Sequence, residues 1–232
     1  RAAWPDALLH CGAGLNLTEA TAPELLFYTH CAYQAKDWRL ATTVVTQGLA
    51  RYPADRRFRR YELGLLVHGG RPDETRQAVL ALLDSEPGDV ELWRHLSWSA
   101  HETKRPEESL AALEIALIAK PDDPTLRRQL AQTQLNAGLP QAALATIAPL
   151  LDDPPSDHAL VELAARIAGD AGDFARGRAW LAAVPADTRT RSQRLLAARL
   201  ALQAQDPVSA TASLKELIAL GDVGAAPGVG DQ

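Results

Sequence analysis

The chain has 232 residues, 23% of them charged and 47% hydrophobic, and 24 basic against 29 acidic side chains leave a formal charge of −5. That balance is globular rather than disordered, and it provides no global positive field to hold nucleic acid or an anionic membrane. No apolar run approaches the roughly 20 residues that cross a bilayer, and two cysteines exclude a disulfide framework or a zinc-ribbon array. The chain opens on Arg1 and contains no Met. This predicts a processed or excised piece, with any signal peptide or anchor lying upstream.

In chain order, residues 1–21 read as one helix. Trp4, Ala7, Gly14 and Leu15 match Trp38, Ala41, Gly48 and Leu49 at a shift of 34. The segment is therefore expected to be the second helix of a repeat whose first helix is missing, with an uncovered apolar face and self-association through that end. Helix pairs are then expected over 22–55, 56–89, 90–123, 124–157, 158–190 and 191–220. Pro53, Pro87, Pro121 and Pro155 recur every 34 residues, each followed two residues later by Asp55, Asp89, Asp123 or Asp157. Proline stops one helix and aspartate caps the next. Within a pair, the fifteenth and sixteenth positions carry turn chemistry, as in Gly70-Arg71 and Gly172-Asp173. The twentieth is small (Ala41, Thr75, Ser109, Ala143, Gly177, Ala210) and the twenty-fourth is larger and apolar (Val45, Val79, Leu113, Ile147, Leu181, Leu214). Two amphipathic helices crossing closely at a small residue account for that pattern. In the third pair it predicts Trp93, Leu96, Leu113 and Ala116 buried between the helices. Residues 221–232, with four Gly and one Pro, read as a tail.

These periodic residues resemble the tetratricopeptide repeat superfamily, over nearly the whole chain from about Arg1 to Leu220. The resemblance implies an all-α fold: a right-handed α-α superhelix of about six helix pairs plus a leading helix. Departures exist. Only Trp93 supplies the family's large aromatic at position four, where Arg59, Arg127 and Arg194 stand in other units, and the fifth unit is one residue short with Pro185 in place of the late proline. The Ala/Leu/Arg-rich units look most like bacterial arrays of the export and outer-membrane-transport type, which points to the periplasm rather than the cytoplasm.

In such proteins the first helix of each unit lines a concave groove. Carried onto this chain, the groove positions give His30 and Tyr33, then Arg57, Arg60, Tyr61 and His68, then Arg94, His95, Trp98 and His101, and in the fourth unit Arg128 and Gln132. The arginines predict a locally positive groove for a protein or peptide partner that is acidic or ends in a carboxylate. Trp98, mid-array, is the expected anchor. Imidazole ordinarily protonates near 6.5, so the groove histidines predict tighter anion binding on acidification. The run Arg56-Arg57-Phe58-Arg59-Arg60 opposes a helix dipole and calls for compensation, either from acids such as Asp55, Asp89 and Glu91 or from an anionic partner, with a solvated or internally paired cluster as the expected state. The superfamily's chaperone-tail carboxylate clamp is not reproduced by Arg60, Gly64, His95, Thr125 and Gln129.

Nothing in the sequence assembles an enzyme. No Gly-Lys-Ser/Thr phosphate loop is present, no Ser, His and Asp are placed together, and no cofactor is implied. His158 and Glu162, one turn apart, lack a third metal ligand nearby in sequence and are expected to form an exposed ion pair. Cys11 and Cys31 could approach across antiparallel helices, but buried thiols are the expected state. The reading is a non-catalytic binding scaffold. The alternatives are an accessory module of a bacterial export or outer-membrane transport system that binds a polysaccharide or other anionic polymer, and a structural spacer or self-assembly element.

Overall fold

Aspartate, proline and one left-handed residue recur at fixed places and cut the chain into helices. The computed structural model describes residues 16–151 and 157–224. Two compact units divide at Lys120 and Pro121. The first contains α1 (Ala22–Gln34), α2 (Trp38–Arg51), α3 (Arg56–His68), α4 (Pro72–Leu83), α5 (Val90–Glu102) and α6 (Pro106–Ala119). The second contains α7 (Pro124–Asn136), α8 (Pro140–Ile147) with a 3-10 turn over Ala148–Leu151, α9 (His158–Asp170), α10 (Phe174–Ala183), α11 (Arg191–Gln203) and α12 (Pro207–Gly224). No strand occurs among the described residues. In each unit, consecutive helices pack on one another, which is the all-α helix-pair architecture the periodicity implies. The leading segment to residue 15, Cys11, Pro155 and the tail from residue 225 lie outside the described residues. Helix α12 continues to Gly224, because an isolated glycine costs a helix only about 1 kcal/mol.

The caps are local chemistry. Asp55, Asp89, Asp123 and Asp157 each accept a backbone N–H two residues on, at 2.8–3.0 Å, and so start α3, α5, α7 and α9. Thr190 and Gln193 bond reciprocally at the start of α11. Each pair turns on one left-handed residue, with φ between 57° and 80°: Lys36, Gly70, Lys104, Gly138, Gly172 and Gln205. The N–H that follows each returns to a carbonyl five residues back at 2.8–3.1 Å, which satisfies an orphan helix-end acceptor.

Crossings occur at the small twentieth positions, all of them buried. The twenty-fourth positions are buried as well, except Leu214 in the last described pair, which is 42% exposed. Phe58 is fully buried against Gly48, where an added methyl would stand 2.3 Å from its ring. Leu96, Leu113 and Ala116 are buried, but Trp93 is only half-buried. Its indole N–H needs a partner and takes the Pro87 carbonyl at 2.8 Å, which holds the ring toward the edge of the pair. That bond explains two of the three arginines at position four. Arg59 donates to the Pro53 carbonyl at 3.1 Å and Arg127 to the Pro121 carbonyl at 2.6 Å, each six residues back, as Trp93 does. Tryptophan and arginine thus make the same N–H bond to the turn.

Candidate functional site

Ten of the twelve groove residues lie in unit 1, and Arg128 and Gln132 lie in unit 2. The arginines do not present free charge. Arg57, exposed, binds Asp55 at 2.7 Å. Arg60 bonds both Glu86 and Asp89, and so ties α3 to the cap of α5. Arg94 pairs with Glu91 one turn earlier at 3.0 Å, and its Nε is buried with no hydrogen-bond partner among the described residues. In unit 2 Arg128 binds Asp157 at 2.8 Å, while Gln132 donates to Asn136 at 2.8 Å and accepts from Arg166 at 3.0 Å. Each groove arginine therefore has its own carboxylate. The positive groove expected from the sequence is largely neutralised, because acids at the helix starts and turns reach the same side chains. In the Arg56–Arg60 run Arg56 also lies 3.9 Å from Glu86, while Arg59 has a carbonyl, that of Pro53, in place of a carboxylate.

These pairs fix the protonation of their members. Arg57 beside Asp55 holds that carboxyl below the usual carboxylate range, and Asp89 and Glu86 raise the Arg60 guanidinium. His95 goes against the expectation. Partial burial pushes its imidazole below the ordinary value and Arg94 adds to this, outweighing Glu91 and Asp89. His95 therefore resists the protonation that the acidification argument required of it.

What remains on this face of unit 1 is aromatic. Tyr61 is half-buried, its hydroxyl 2.9 Å from His30 Nδ1 and its ring edge-on to Tyr33 at 5.7 Å between centroids. Burial, with Tyr33 and Cys31 adding to it, pushes the Tyr61 phenol above its usual value. His68 stacks on Trp38 at 3.9 Å, and Trp38 meets Tyr33 edge-on at 5.3 Å. Trp98 is half-buried and His101 exposed on α5. Phe27, at position six of α1, is 61% exposed.

Counting first-helix positions overlooked two of these residues. Trp38 opens a second helix, so the count excluded it. Phe27 stands at the position that holds Tyr61 and His95 in the next two units and was legible there. Elsewhere, His158 and Glu162 form no ion pair among the described residues, and Glu162 instead accepts the Ser192 hydroxyl. Cys31 is buried, while the Cys11 half of the proposed approach lies outside the described residues. Among the described residues no group of three metal-ligating side chains occurs, and no helix is long and apolar enough to cross a membrane.

Residues 65–124 match the family model for the tetratricopeptide repeat. No curated protein matches the chain in sequence. Among solved structures, the C-terminal part of a TPR repeat-containing protein from Cytophaga hutchinsonii superposes with a TM-score of 0.75 at 15% identity, over 94% of this chain and 90% of that one. PilF of Pseudomonas aeruginosa gives 0.59 at 16% identity, over 86% and 91%. MamA from Desulfovibrio magneticus RS-1 gives 0.61 at 14%, over 66% and 86%. At these identities the likeness is one of fold.

Proposed function

We propose that this chain, a tetratricopeptide-repeat protein by its fold, is a non-catalytic scaffold that holds a protein or peptide partner on the first-helix face of unit 1, as part of a larger assembly. One observation carries the reading. The arginines of that face are occupied by carboxylates of the chain itself, while Phe27, Tyr61, His68, Trp98 and His101, on α1, α3 and α5, are each half-buried or exposed. Half-buried aromatics contribute a large contact area at low entropic cost, and Trp and Tyr are enriched among interface hot spots. An acidic partner has to compete with Asp55, Glu86, Asp89 and Glu91 for the guanidiniums. Aromatic contacts therefore supply the affinity, and charge supplies mainly register.

A displayed peptide library selected on the intact chain tests this. Selected peptides should lose at least tenfold in affinity on Trp98→Ala and on Tyr61→Ala, and little on Ile118→Ala, an exposed position on α6. Their affinity should change only modestly between low and physiological salt. Equal binding to all three variants would move the site off this face.

A further inference from the structure

Second helices of consecutive pairs leave a slot between them, floored by the first helix of the later pair. Unit 1 holds one of about 430 Å3 between α2 and α4 over α3, and unit 2 holds one of about 520 Å3 between α10 and α12 over α11. The two occupy the same place in the repeat: Arg59 on the floor of the first stands at position four, as Arg194 does in the second. Their charge differs. The unit 1 slot is lined by Arg59 and Arg71 against Glu62 and Glu74. In unit 2, Ala197 and Ser209 stand at the positions of those glutamates, and Arg178, Arg189 and Arg194 face one lining acid, Glu216. Asp206 takes Arg178 at 2.9 Å. Arg189 and Arg194 are left to share Glu216, at 3.9 and 3.2 Å.

Both guanidiniums are held from behind by the last turn of α10 and the α10–α11 connection. Arg189 donates from Nε to the Val184 carbonyl at 2.8 Å and from Nη2 to the Ala182 carbonyl at 3.0 Å. Its Nη1 makes no hydrogen bond among the described residues. Arg194 donates to the carbonyls of Ala186 and Arg189, and its side chain is only 9% exposed, against 42% for Glu216. A preorganised pair of cations, one of them nearly buried, thus shares a single half-exposed carboxylate beside a wall of alanines. Charge withdrawn from water without a full counter-charge is costly, and an anion that bonds both guanidiniums offsets the cost.

We propose that this slot binds a small carboxylate with a short apolar body. Its carboxylate is received by Arg189 and Arg194, and its body lies along Ala179, Ala182 and Ala212. From Ser209 to Glu216 the slot spans two turns of α12, roughly 10 Å, enough for a six-carbon chain or about three extended residues. A free carboxylic acid and a peptide C-terminus share this chemistry. Glu216 competes for the same donors and holds the affinity down. The site is separate from the aromatic face of unit 1, so each reading fails or stands alone.

Calorimetric titration of the intact chain with hexanoate, hexanamide, and N-acetyl-trialanine as free acid and as amide tests the proposal. At least one free acid should bind, at least tenfold tighter than its amide, and which one binds identifies the source. Glu216→Gln should tighten binding several-fold and Arg189→Gln should weaken it at least tenfold. Ala212→Leu, which fills the slot without touching a charge, should abolish binding while helical circular dichroism is retained. Acid and amide binding alike, no binding of either acid at millimolar concentration, or Glu216→Gln leaving affinity unchanged or weaker would each overturn it. Sulfate competing as well as hexanoate would remove the apolar body from the proposal.

Discussion

Unit 1 and unit 2 build the same helix pairs from different materials. In unit 1 an aromatic ring fills the contact between one pair and the next, as Phe58 does over Gly48, and arginines such as Arg60 bridge to the cap of a later helix. In unit 2 alanine and glycine line the close contacts. Helix α9 buries Ala164, Ala165 and Ala168, and a methyl at Gly177 would stand 3.0 Å from the Ala165 carbonyl. The difference shows what sets the architecture: the aspartate cap, the left-handed turn and the small crossing residue. Side chains outside those positions are free to carry chemistry, aromatic in one unit and cationic around a slot in the other.

The sharpest way to break this comparison is through the crossings. Phe58→Ala should cost about 3–5 kcal/mol, since the cavity it leaves lies between three helices and cannot close easily. Gly177→Ala should cost about 1–3 kcal/mol by overpacking, because one of the three close neighbours is a backbone oxygen that cannot rotate away. Urea titrations followed by circular dichroism would measure both. If Gly177→Ala were neutral, the crossings of unit 2 would be looser than the geometry indicates.

A smaller effect tests whether position four works through its N–H donor rather than its shape. Arg59→Leu removes the bond to the Pro53 carbonyl and should cost about 1–2 kcal/mol. Arg127→Trp keeps a donor six residues from the Pro121 carbonyl and should be close to neutral. Equal losses in the two variants would mean that arginine acts there by packing its stem.

That equivalence marks the boundary of what the sequence made legible. Caps, turns and crossings are decided by neighbours within one or two turns of helix, so a 34-residue count reads them directly. The candidate face was legible as a set of positions but not in its charge. Arg60 meets Glu86 and Asp89 at 26 and 29 residues' distance, and Arg128 meets Asp157 at 29. Such pairs arise from stacking one helix pair on the next: the charge of the Arg56–Arg60 run pointed to Asp89, but counting charges on a single helix face misses Glu86 and Asp157. Trp38 was missed because it opens a second helix, and only its stacking on His68 of the following pair brings it to this face.

The pairing also gives the molecule a pH response that differs from the one expected of a histidine-lined groove. For Asp89, burial raises the carboxyl, but the Arg60 bond and the amide bonds of the cap outweigh it, and the group sits below its ordinary 3.8. A carboxyl lowered by folding contributes stability above the unfolded value and loses it as pH falls through the folded one, here below about pH 4. Asp89→Asn should flatten the acid limb of the stability curve. His95 acts in a higher window. Its folded value lies below the unfolded one near 6.5, so the unfolded chain takes up a proton first and stability declines as pH drops below about 6.5. His95→Gln should remove that decline, measured as thermal midpoints between pH 7.5 and 5. A decline that persisted unchanged in the variant would place its origin in another group.

The smallest effect comes from the turns, where both units face the same strain. Lys36, Lys104 and Gln205 hold φ near 60°, a region that costs a side-chain-bearing residue roughly 1–2 kcal/mol, whereas Gly70, Gly138 and Gly172 enter it freely. Replacing Lys104 by glycine relieves that strain but gives the unfolded chain more freedom, which takes back about 0.4–1 kcal/mol. The net should be a stabilisation of about 0.5 kcal/mol for Lys104→Gly, and the same sign for Lys36→Gly and Gln205→Gly. The reverse change, Gly138→Ala, meets no atom within 4 Å, so its cost of about 1 kcal/mol is backbone strain alone. Measuring the two changes in opposite directions separates strain from contact. If Gly138→Ala destabilised while Lys104→Gly did too, the lysine side chain would be making an interaction worth more than the strain it endures, and the turns of the two units would be equivalent in geometry but not in energy.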